Sequence, residues 1–367
     1  MKTTTRLAVV GAVAALTASS AFLSGSADAA IAHHSASADG TRAVFVQTDE
    51  PAGNHVIAYH RNSDGGLVEA GSYSTGGTGG ILAGSVVDHT ASQGALTYDS
   101  GHHLLYAVNA GSDSLSVFTV AGDRLHLVQT IATRGSFPVS VTASGSRVFV
   151  LNARDGGSIQ GYQVEGRHLD IRWSWHRELN LATGTAPEFT HTPGQVAFAP
   201  SGRQLVVTTK AGGNSVEVFN LKPSGLPGWA PVVTSLPGAV PFAVSWDPAG
   251  QLAVVEAGTN ALATFTLHHD GALTALSSVP SGQSASCWVV ANRRNLYVSN
   301  AGSASLTQYR SGPRGSLTLV GDTTTDAGTV DATVSPDGHN LYVQAGANGL
   351  VDEYRIGWGG SLTWIGT

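Results

Sequence analysis

The chain has 367 residues, which is enough for one large domain or two ordinary ones. Its 46 glycines and its low charged fraction of 12% indicate a turn-rich folded protein rather than a disordered one. The formal net charge of −6 is spread without a basic run, which argues against nucleic acid as a partner because its binding needs clustered Lys and Arg.

The first 29 residues predict a secretory signal peptide. Lys2 and Arg6 give a positive start, residues 7–23 are apolar, and a small-x-small cleavage signal ends at Ala29. No later stretch is long and apolar enough to span a bilayer. We therefore expect an extracellular protein in which residues 30–367 form a single domain.

A short motif recurs beyond this segment. The stretch YAVNAGSDSLSVF at 106–118 is nearly repeated as YVSNAGSASLTQY at 297–309. When all copies are aligned on the residue before the recurrent alanine, the six successive aligned residues are 43, 58, 46, 44 and 44 positions apart. The aligned positions are Asn109, Asn152, Lys210, Glu256, Asn300 and Gln344. A period in the forties with alternating apolar residues is typical of propeller blades.

A hairpin turn ahead of each aligned position divides every repeat into four strands. The turn ends in glycine, which readily adopts a positive φ, except in the sixth repeat, where it ends at Arg294. The seven repeats begin near residues 31, 95, 139, 196, 244, 288 and 332. Because one four-stranded sheet cannot bury its own faces, we expect an all-β, seven-bladed β-propeller with four antiparallel strands per blade.

Two details of this arrangement bear on function. The inner strand of blade one would be residues 32–38, directly after the predicted signal peptide. Long insertions at 75–95 and 178–194 interrupt the repeat, and long loops at one end of a rigid scaffold are frequent places for binding and catalysis.

The repeat pattern SPDG..LYV.N.G..S..VF resembles the lactonase-type seven-bladed propellers, which include the 6-phosphogluconolactonases and the fungal carboxymuconate cyclases. The resemblance covers residues 40–367 and implies a site in the central funnel that opens or closes a lactone ring on a small acid. It also implies a His, two Arg and a Glu around that funnel, and there this sequence departs from the family. The places of the family's P-R-H motif read FPV at 137–139, PGQ at 193–195 and PFA at 241–243. The place of its N-E motif reads Asn-Ala at 109–110, and that of its N-R-G motif reads Asn-Ala-Gly at 300–302.

Charged residues near the axis are therefore the candidates for catalysis. Lys210 and Glu256 occupy, in neighbouring repeats, the place that holds uncharged residues in the other repeats. Either they form an inter-blade ion pair, or Lys210 binds a substrate carboxylate while Glu256 acts as the base. His191 lies with Glu188 in the second insertion and is a candidate general acid or base, the alternative being a solvated histidine. The single cysteine, Cys287, excludes an internal disulfide and is interpreted as a small buried apolar side chain, with a nucleophilic role as the alternative.

A polar collar around the axis is predicted to bind a small ligand. The candidate residues are Asn109, Asn152, Arg154, Gln195, Asn300, Asp331 and Gln344. The asparagines could instead satisfy backbone groups of tight turns, and Arg154 could form a surface pair with Asp155. Trp173 and Trp175 are expected on one strand and on one side of it, where they pack between blades or stack on a sugar. We predict no metal and no cofactor, because the carboxylates of 322–331 lack the spacing of a known calcium loop.

Two functions remain open at this point. The first is a secreted, monomeric, lactonase-like enzyme that hydrolyses or cycloisomerises a small acidic or lactone ligand in the funnel. The second is a non-catalytic extracellular propeller that binds a small molecule, a glycan or a cell-envelope component. Convergence of Lys210, Glu256, His191 and Arg154 in a water-filled funnel would favour the enzyme, whereas charges paired with one another would favour the binding protein.

Overall fold

The computed structural model describes residues 42–367. Within this range 28 strands form seven antiparallel sheets, and each sheet is built from consecutive strands of the chain. The sheets are arranged as seven blades in a ring, which confirms the β-propeller predicted from the repeat. The predicted signal peptide and the predicted inner strand of blade one at 32–38 lie outside the described residues.

The first four blades follow the chain in order. Blade one contains β1 (Ala43–Gln47), β2 (His55–Arg61) and β3 (Leu67–Ser74). Blade two contains β4 (Leu96–Asp99), β5 (Leu104–Asn109), β6 (Ser114–Ala121) and β7 (Arg124–Ala132). Blade three contains β8 (Pro138–Ser144), β9 (Arg147–Asn152), β10 (Ser158–Glu165) and β11 (His168–Ile171), and the short β12 (Arg177–Glu178) also pairs with β10. Blade four contains β13 (Gln195–Phe198), β14 (Gln204–Thr208), β15 (Ser215–Asn220) and β16 (Val232–Ser235).

The last three blades have four strands each. Blade five contains β17 (Pro241–Trp246), β18 (Leu252–Glu256), β19 (Ala261–Leu267) and β20 (Leu273–Pro280). Blade six contains β21 (Ser286–Asn292), β22 (Asn295–Asn300), β23 (Ser305–Ser311) and β24 (Leu317–Thr324). Blade seven contains β25 (Thr329–Val334), β26 (Asn340–Ala345), β27 (Leu350–Ile356) and β28 (Leu362–Gly366). One-turn helices α1 (Glu188–His191) and α2 (Lys210–Gly213) precede β13 and follow β14, and 3-10 turns lie at Ala110–Ser112, Trp173–Trp175, Pro313–Gly315 and Trp358–Gly360.

Tyrosines on the middle strands join neighbouring blades. A tyrosine buries its ring in the apolar layer between two sheets and offers its hydroxyl to a backbone carbonyl at the edge of that layer. The Tyr297 hydroxyl donates to the carbonyl oxygen of Gly360 in blade seven at 2.7 Å. The Tyr342 hydroxyl donates to the carbonyl oxygen of Gly65 in blade one at the same distance. The seam that closes the ring is thus held by the same kind of bond as the seam before it.

The first insertion turns inward to the axis of the ring. We call its residues 88–94 the channel segment. The Gln93 side chain donates from Nε2 to the Val244 carbonyl oxygen at 3.2 Å, and its Oε1 accepts from the Val289 backbone N–H at 2.8 Å. The Gln93 carbonyl oxygen accepts from the Ser140 hydroxyl at 2.7 Å. One residue therefore links the inner strands of blades three, five and six, and the channel at this level is occupied by the chain itself.

Asp88 gives the channel segment its shape. The Asp88 carboxylate accepts hydrogen bonds from the Thr90 backbone N–H at 3.0 Å, the Thr90 hydroxyl at 2.8 Å and the Ser92 backbone N–H at 2.9 Å. Short polar side chains that bond the backbone two residues ahead stabilise such turns. These bonds satisfy backbone donors that the segment takes out of water when it enters the channel.

The prediction that Trp173 and Trp175 share one strand and one side is wrong. The two residues lie in the 3-10 turn between β11 and β12, where positions two apart point in different directions. Trp175 is buried and stacks on Phe149 with ring centroids 5.5 Å apart, whereas the Trp173 side chain is 70% exposed. The sequence alternation W-S-W fits a strand equally well, and the tight turn removes the shared face.

Candidate functional site

The turns that follow the second strands of blades two and four contact the two insertions. The Gly111 backbone N–H, after β5, donates to the Thr78 carbonyl oxygen of the first insertion at 3.0 Å. α2, after β14, packs against α1 of the second insertion, and a side chain at Gly212 would overlap the His191 carbonyl oxygen. Glycine therefore permits the close approach of these two one-turn helices.

The structure contains a cavity of about 210 Å³, which we call the third-blade cavity. It lies between the turn after β9 and the second insertion. Its ionisable lining residues are Arg154, Asp155, Glu188 and His191, and the remaining lining residues include Leu181, Thr183, Thr185 and Thr192. The structure thus brings two of the predicted site residues, Arg154 and His191, to one cavity.

Arg154 and Glu188 form an ion pair with two hydrogen bonds at the edge of this cavity. Arg154 Nε donates to Glu188 Oε1 at 2.6 Å, and Nη2 donates to Oε2 at 3.2 Å. The hydrogen bond from Arg154 lowers the pKa of the Glu188 carboxyl against the opposing effect of burial, and it raises the pKa of the guanidinium in turn. The guanidinium also lies 4.2 Å from the ring centroid of Phe137. Among the described residues, Arg154 Nη1 has no hydrogen-bond partner, so this donor is available to a ligand.

His191 has a defined tautomer. Its Nδ1 lies 2.9 Å from the Pro187 carbonyl oxygen, and a carbonyl oxygen can only accept a hydrogen bond. Nδ1 therefore carries the proton of the neutral ring, and Nε2 keeps its lone pair. A histidine held in this way can accept a proton at Nε2.

Lys210 lies beneath the cavity and is fully buried. Its Nζ donates to the Ala91 carbonyl oxygen of the channel segment at 2.8 Å and to the Phe189 carbonyl oxygen of α1 at 2.5 Å. Burial lowers the pKa of the Lys210 ammonium to about 7, with the negative charges of Asp88 and Glu188 acting in the opposite direction. Lys210 is thus a positioning residue that ties the channel segment to the wall of the third-blade cavity.

Glu256 occupies a different place from Lys210. Its Oε2 accepts a hydrogen bond from the Ser278 hydroxyl of β20 at 3.0 Å. The side chain is partly buried, which raises the pKa of its carboxyl. Glu256 does not line the third-blade cavity, and no hydrogen bond or ion pair joins it to Lys210 among the described residues.

The three asparagines of the predicted collar are fully buried in their turns. Asn109 Nδ2 donates to the Ser116 hydroxyl at 2.8 Å, and Asn300 Nδ2 donates to the Thr307 hydroxyl at 2.9 Å. Asn152 Nδ2 donates to the Ser158 hydroxyl at 3.1 Å. Each amide thus bonds to a side chain on the strand that follows its turn, which is the turn-stabilising alternative considered for these residues.

The other collar residues contact the inner strands. Gln195 Oε1 accepts from the Val244 backbone N–H at 2.6 Å. Asp331 Oδ2 accepts from the Gly94 backbone N–H at 3.2 Å, and burial raises the pKa of the Asp331 carboxyl to about 6. Gln344 Nε2 donates to the Gln47 carbonyl oxygen at 3.4 Å. Gln195, Asp331 and Gln344 therefore bond to the chain itself around the axis.

Cys287 packs against the apolar cluster of blades five and six. Burial raises the pKa of its thiol to about 12, so the side chain stays protonated near neutral pH. This environment fits the interpretation of Cys287 as a small apolar side chain.

Two features were missed at the level of sequence. The partner of Arg154 is Glu188, not the adjacent Asp155, and the channel segment was not recognised as part of the axis. A signal was present for the second feature, since the sequence DHTAS at 88–92 has Thr and Ser two and four residues after an aspartate. Within residues 42–367 no group of three or more His, Cys, Asp or Glu could hold a metal ion, and no helix has the length and apolar character needed to cross a membrane.

Comparisons with known proteins agree with the fold. The family model for the seven-bladed β-propeller lactonases matches residues 50–174. No curated protein matches the chain in sequence. A candidate 6-phosphogluconolactonase from Bacteroides fragilis is 19% identical with a TM-score of 0.67, and the match covers 88% of this chain and 93% of that one.

Two further solved structures are similar in the same way. A protein from Lactobacillus plantarum is 17% identical with a TM-score of 0.69, over 85% of this chain and 91% of that one. A periplasmic gluconolactonase from Pseudomonas aeruginosa is 18% identical with a TM-score of 0.66, over 88% of this chain and 94% of that one. At these identities the solved structures show a shared fold. The family match covers residues 50–174, about a third of the chain, and is a similarity to the seven-bladed β-propeller lactonases over that part.

Proposed function

We propose that the chain hydrolyses a small lactone in the third-blade cavity. The observation that carries the proposal is the meeting of His191 with the Arg154–Glu188 pair at one cavity, which Lys210 and Glu256 do not line. The lactonase family match and the gluconolactonase among the structural neighbours favour a sugar-derived lactone as the substrate class.

The chemistry requires a base and a donor for the developing oxyanion. His191 Nε2 accepts a proton from a water molecule as its oxygen adds to the lactone carbonyl carbon. The free Nη1 of Arg154 donates to the carbonyl oxygen as that oxygen becomes negative. The ring C–O bond then breaks, the ring oxygen takes the proton back from His191, and the product is the open hydroxy acid. Water and lactone are consumed one for one.

The Arg154–Glu188 pair sets the charge of the cavity. Because Glu188 already neutralises the charge of Arg154, the cavity favours binding of a neutral lactone over binding of a free carboxylate. The acid formed by ring opening would lie near Glu188 and be repelled by it, which favours product release. The ligand lies beside the channel segment rather than on the axis, because residues 88–94 occupy the axis.

A panel of lactones tests this function directly. Purified protein is mixed with glucono-δ-lactone, 6-phosphogluconolactone and simple γ-lactones, and proton release is followed with a pH indicator against spontaneous hydrolysis in the same buffer. We expect saturable acceleration with at least one sugar lactone. If every lactone opens at the spontaneous rate, the enzymatic function is refuted.

We also propose that the chain acts outside the cytoplasm after cleavage behind Ala29. The support is the charged start, apolar stretch and small-x-small signal of the first 29 residues. N-terminal sequencing of the protein recovered from culture medium should begin at Ala30. Recovery of the uncleaved chain from cells alone would contradict export.

A further inference from the structure

A groove on the outer side of blades three and four presents two exposed indoles. We call it the tryptophan groove; its volume is about 510 Å³ and its lining includes Arg134, Trp173, Arg177, Leu226 and Trp229. The Trp173 side chain is 70% exposed and that of Trp229 is 90% exposed. The groove shares no lining residue with the third-blade cavity, and the proposed lactone chemistry does not use it.

Arg177 holds the two tryptophan-bearing segments together. Its guanidinium donates to the Ser174 carbonyl oxygen at 2.8 Å, next to Trp173. It also donates to the Gly228 carbonyl oxygen at 2.7 Å, next to Trp229. A single side chain therefore fixes the relative position of two segments that are more than fifty residues apart in sequence. Such preorganisation lowers the entropy lost when a ligand binds between the two rings.

The groove is also cationic. The Arg134 guanidinium lies 3.7 Å from the ring centroid of Trp173, and that of Arg177 lies 5.7 Å from the ring centroid of Trp229. Among the described residues neither arginine forms an ion pair with a carboxylate, whereas Arg154 pairs with Glu188. The acidic neighbour Glu178 pairs with His176 at 2.9 Å. Two guanidinium groups without a carboxylate partner among the described residues thus lie at one groove of a chain whose net charge is −6.

The occupant follows from these two properties. The apolar C–H faces of a pyranose ring stack on exposed indoles. A guanidinium is planar, and its five N–H donors match the geometry of a carboxylate. Arg134 stacks on Trp173 and has no hydrogen-bond partner among the described residues, so its donors are free at the edge of the ring. The Arg177 guanidinium, by contrast, gives most of its donors to the carbonyl oxygens of residues 174, 176, 227 and 228. The volume falls within the range of small-ligand sites, about 300–1,000 Å³. We propose that the tryptophan groove binds an acidic oligosaccharide, whose sugar rings lie on Trp173 and Trp229 and one of whose carboxylates pairs with Arg134, while the charge of Arg177 attracts the ligand at longer range.

Binding to tetragalacturonate tests this proposal by isothermal titration calorimetry. The methyl ester of the same tetrasaccharide keeps the rings but removes the charges, and we expect its Kd to be at least tenfold weaker. Trp173→Ala, Trp229→Ala and Arg134→Gln should each weaken tetragalacturonate binding by at least tenfold. Trp358→Ala is the matched control, because Trp358 is also fully exposed but lies in a turn of blade seven outside the groove; its affinity should equal that of the wild type.

The same measurements can overturn the proposal. No detectable binding of tetragalacturonate to the wild-type chain at millimolar concentration would refute it. Equal affinity for acid and ester, or unchanged affinity in both tryptophan variants, would also refute it. An oligothymidylate that binds more tightly than tetragalacturonate would assign the groove to single-stranded nucleic acid instead. Because both indoles are largely exposed, the variants should keep the melting temperature of the wild type, and Trp229→Phe should retain part of the affinity.

Discussion

Lys210 in blade four donates a 2.8 Å hydrogen bond to the carbonyl oxygen of Ala91, a residue of the first insertion. The same ammonium nitrogen bonds the Phe189 carbonyl oxygen of α1. A buried lysine thus connects the channel segment to the wall of the third-blade cavity. Because the ammonium contacts carbonyl oxygens and no carboxylate, burial lowers its pKa.

Replacement of Lys210 by Met should change how stability depends on pH. The ammonium has an ordinary pKa of 10.5 and a native pKa of about 7. Between these values the unfolded chain holds one proton more than the native chain, so wild-type stability rises with pH in this window. Lys210→Met removes this gain. We expect the free energy of unfolding of the wild type, measured in urea, to increase relative to the variant from pH 7 to pH 10. A difference that stays constant over this window would contradict the assignment.

Gln93 should be important for the stability of the ring. Gln93→Met leaves the Val244 carbonyl oxygen and the Val289 N–H without their partner inside the protein. Unsatisfied buried groups cost about 1–3 kcal/mol each, so we expect a loss of about 2–6 kcal/mol in the free energy of unfolding for the two groups together. Gln344→Met is the control, because this amide makes one long bond of 3.4 Å and should cost less than about 1 kcal/mol. Equal losses in the two variants would show that the bonds of Gln93 are not special.

Lactone hydrolysis should depend on His191 and not on Glu256. His191→Gln keeps the size of the side chain but removes the basic nitrogen, and loss of a general base typically lowers kcat by about 100-fold or more. Glu256→Gln should leave kcat within about twofold of the wild type, because its carboxylate bonds Ser278 outside the cavity. Both rates are measured with the best lactone of the panel. The site would be misplaced if Glu256→Gln abolished turnover while His191→Gln did not.

Glu217 should make stability fall with rising pH, the opposite of the dependence expected for Lys210. This carboxyl of β15 is buried, its Oε2 has no hydrogen-bond partner among the described residues, and burial raises its pKa from 4.5 to about 7. The native chain therefore holds more protons than the unfolded chain between these values, and stability is lost as pH rises through this range. Glu217→Gln should raise the melting temperature at pH 8 by about 3 °C and have a smaller effect at pH 5. A larger gain at pH 5 than at pH 8 would contradict it.

The ring was predictable because its determinants are local. Each repeat carries its own hairpin turn and its own alternating strands, so the count of seven needs only the spacing along the chain. The channel segment was not predictable in this way. The side chain of Gln93 bonds residues 151 and 196 positions away, and no local pattern specifies contacts over such separations.

The candidate site was predicted in part. Arg154 and His191 were singled out by their chemistry and meet at one cavity, but the pairing of Arg154 with Glu188 depends on the path of the second insertion. Lys210 and Glu256 occupy equivalent places in the repeat and were expected to act together. The tight contact of α2 with α1 buries Lys210, whereas Glu256 ends a regular strand and bonds its own blade, so equal positions in sequence lead to unequal environments.

Within residues 42–367 no sheet is divided between distant parts of the chain, since every blade is made from consecutive strands. A duplicated blade would therefore bring its complete set of backbone hydrogen bonds with it. Backbone hydrogen bonds thus stabilise each blade internally, whereas side chains such as Tyr342 and Gln93 make the hydrogen bonds that join different blades into a closed ring.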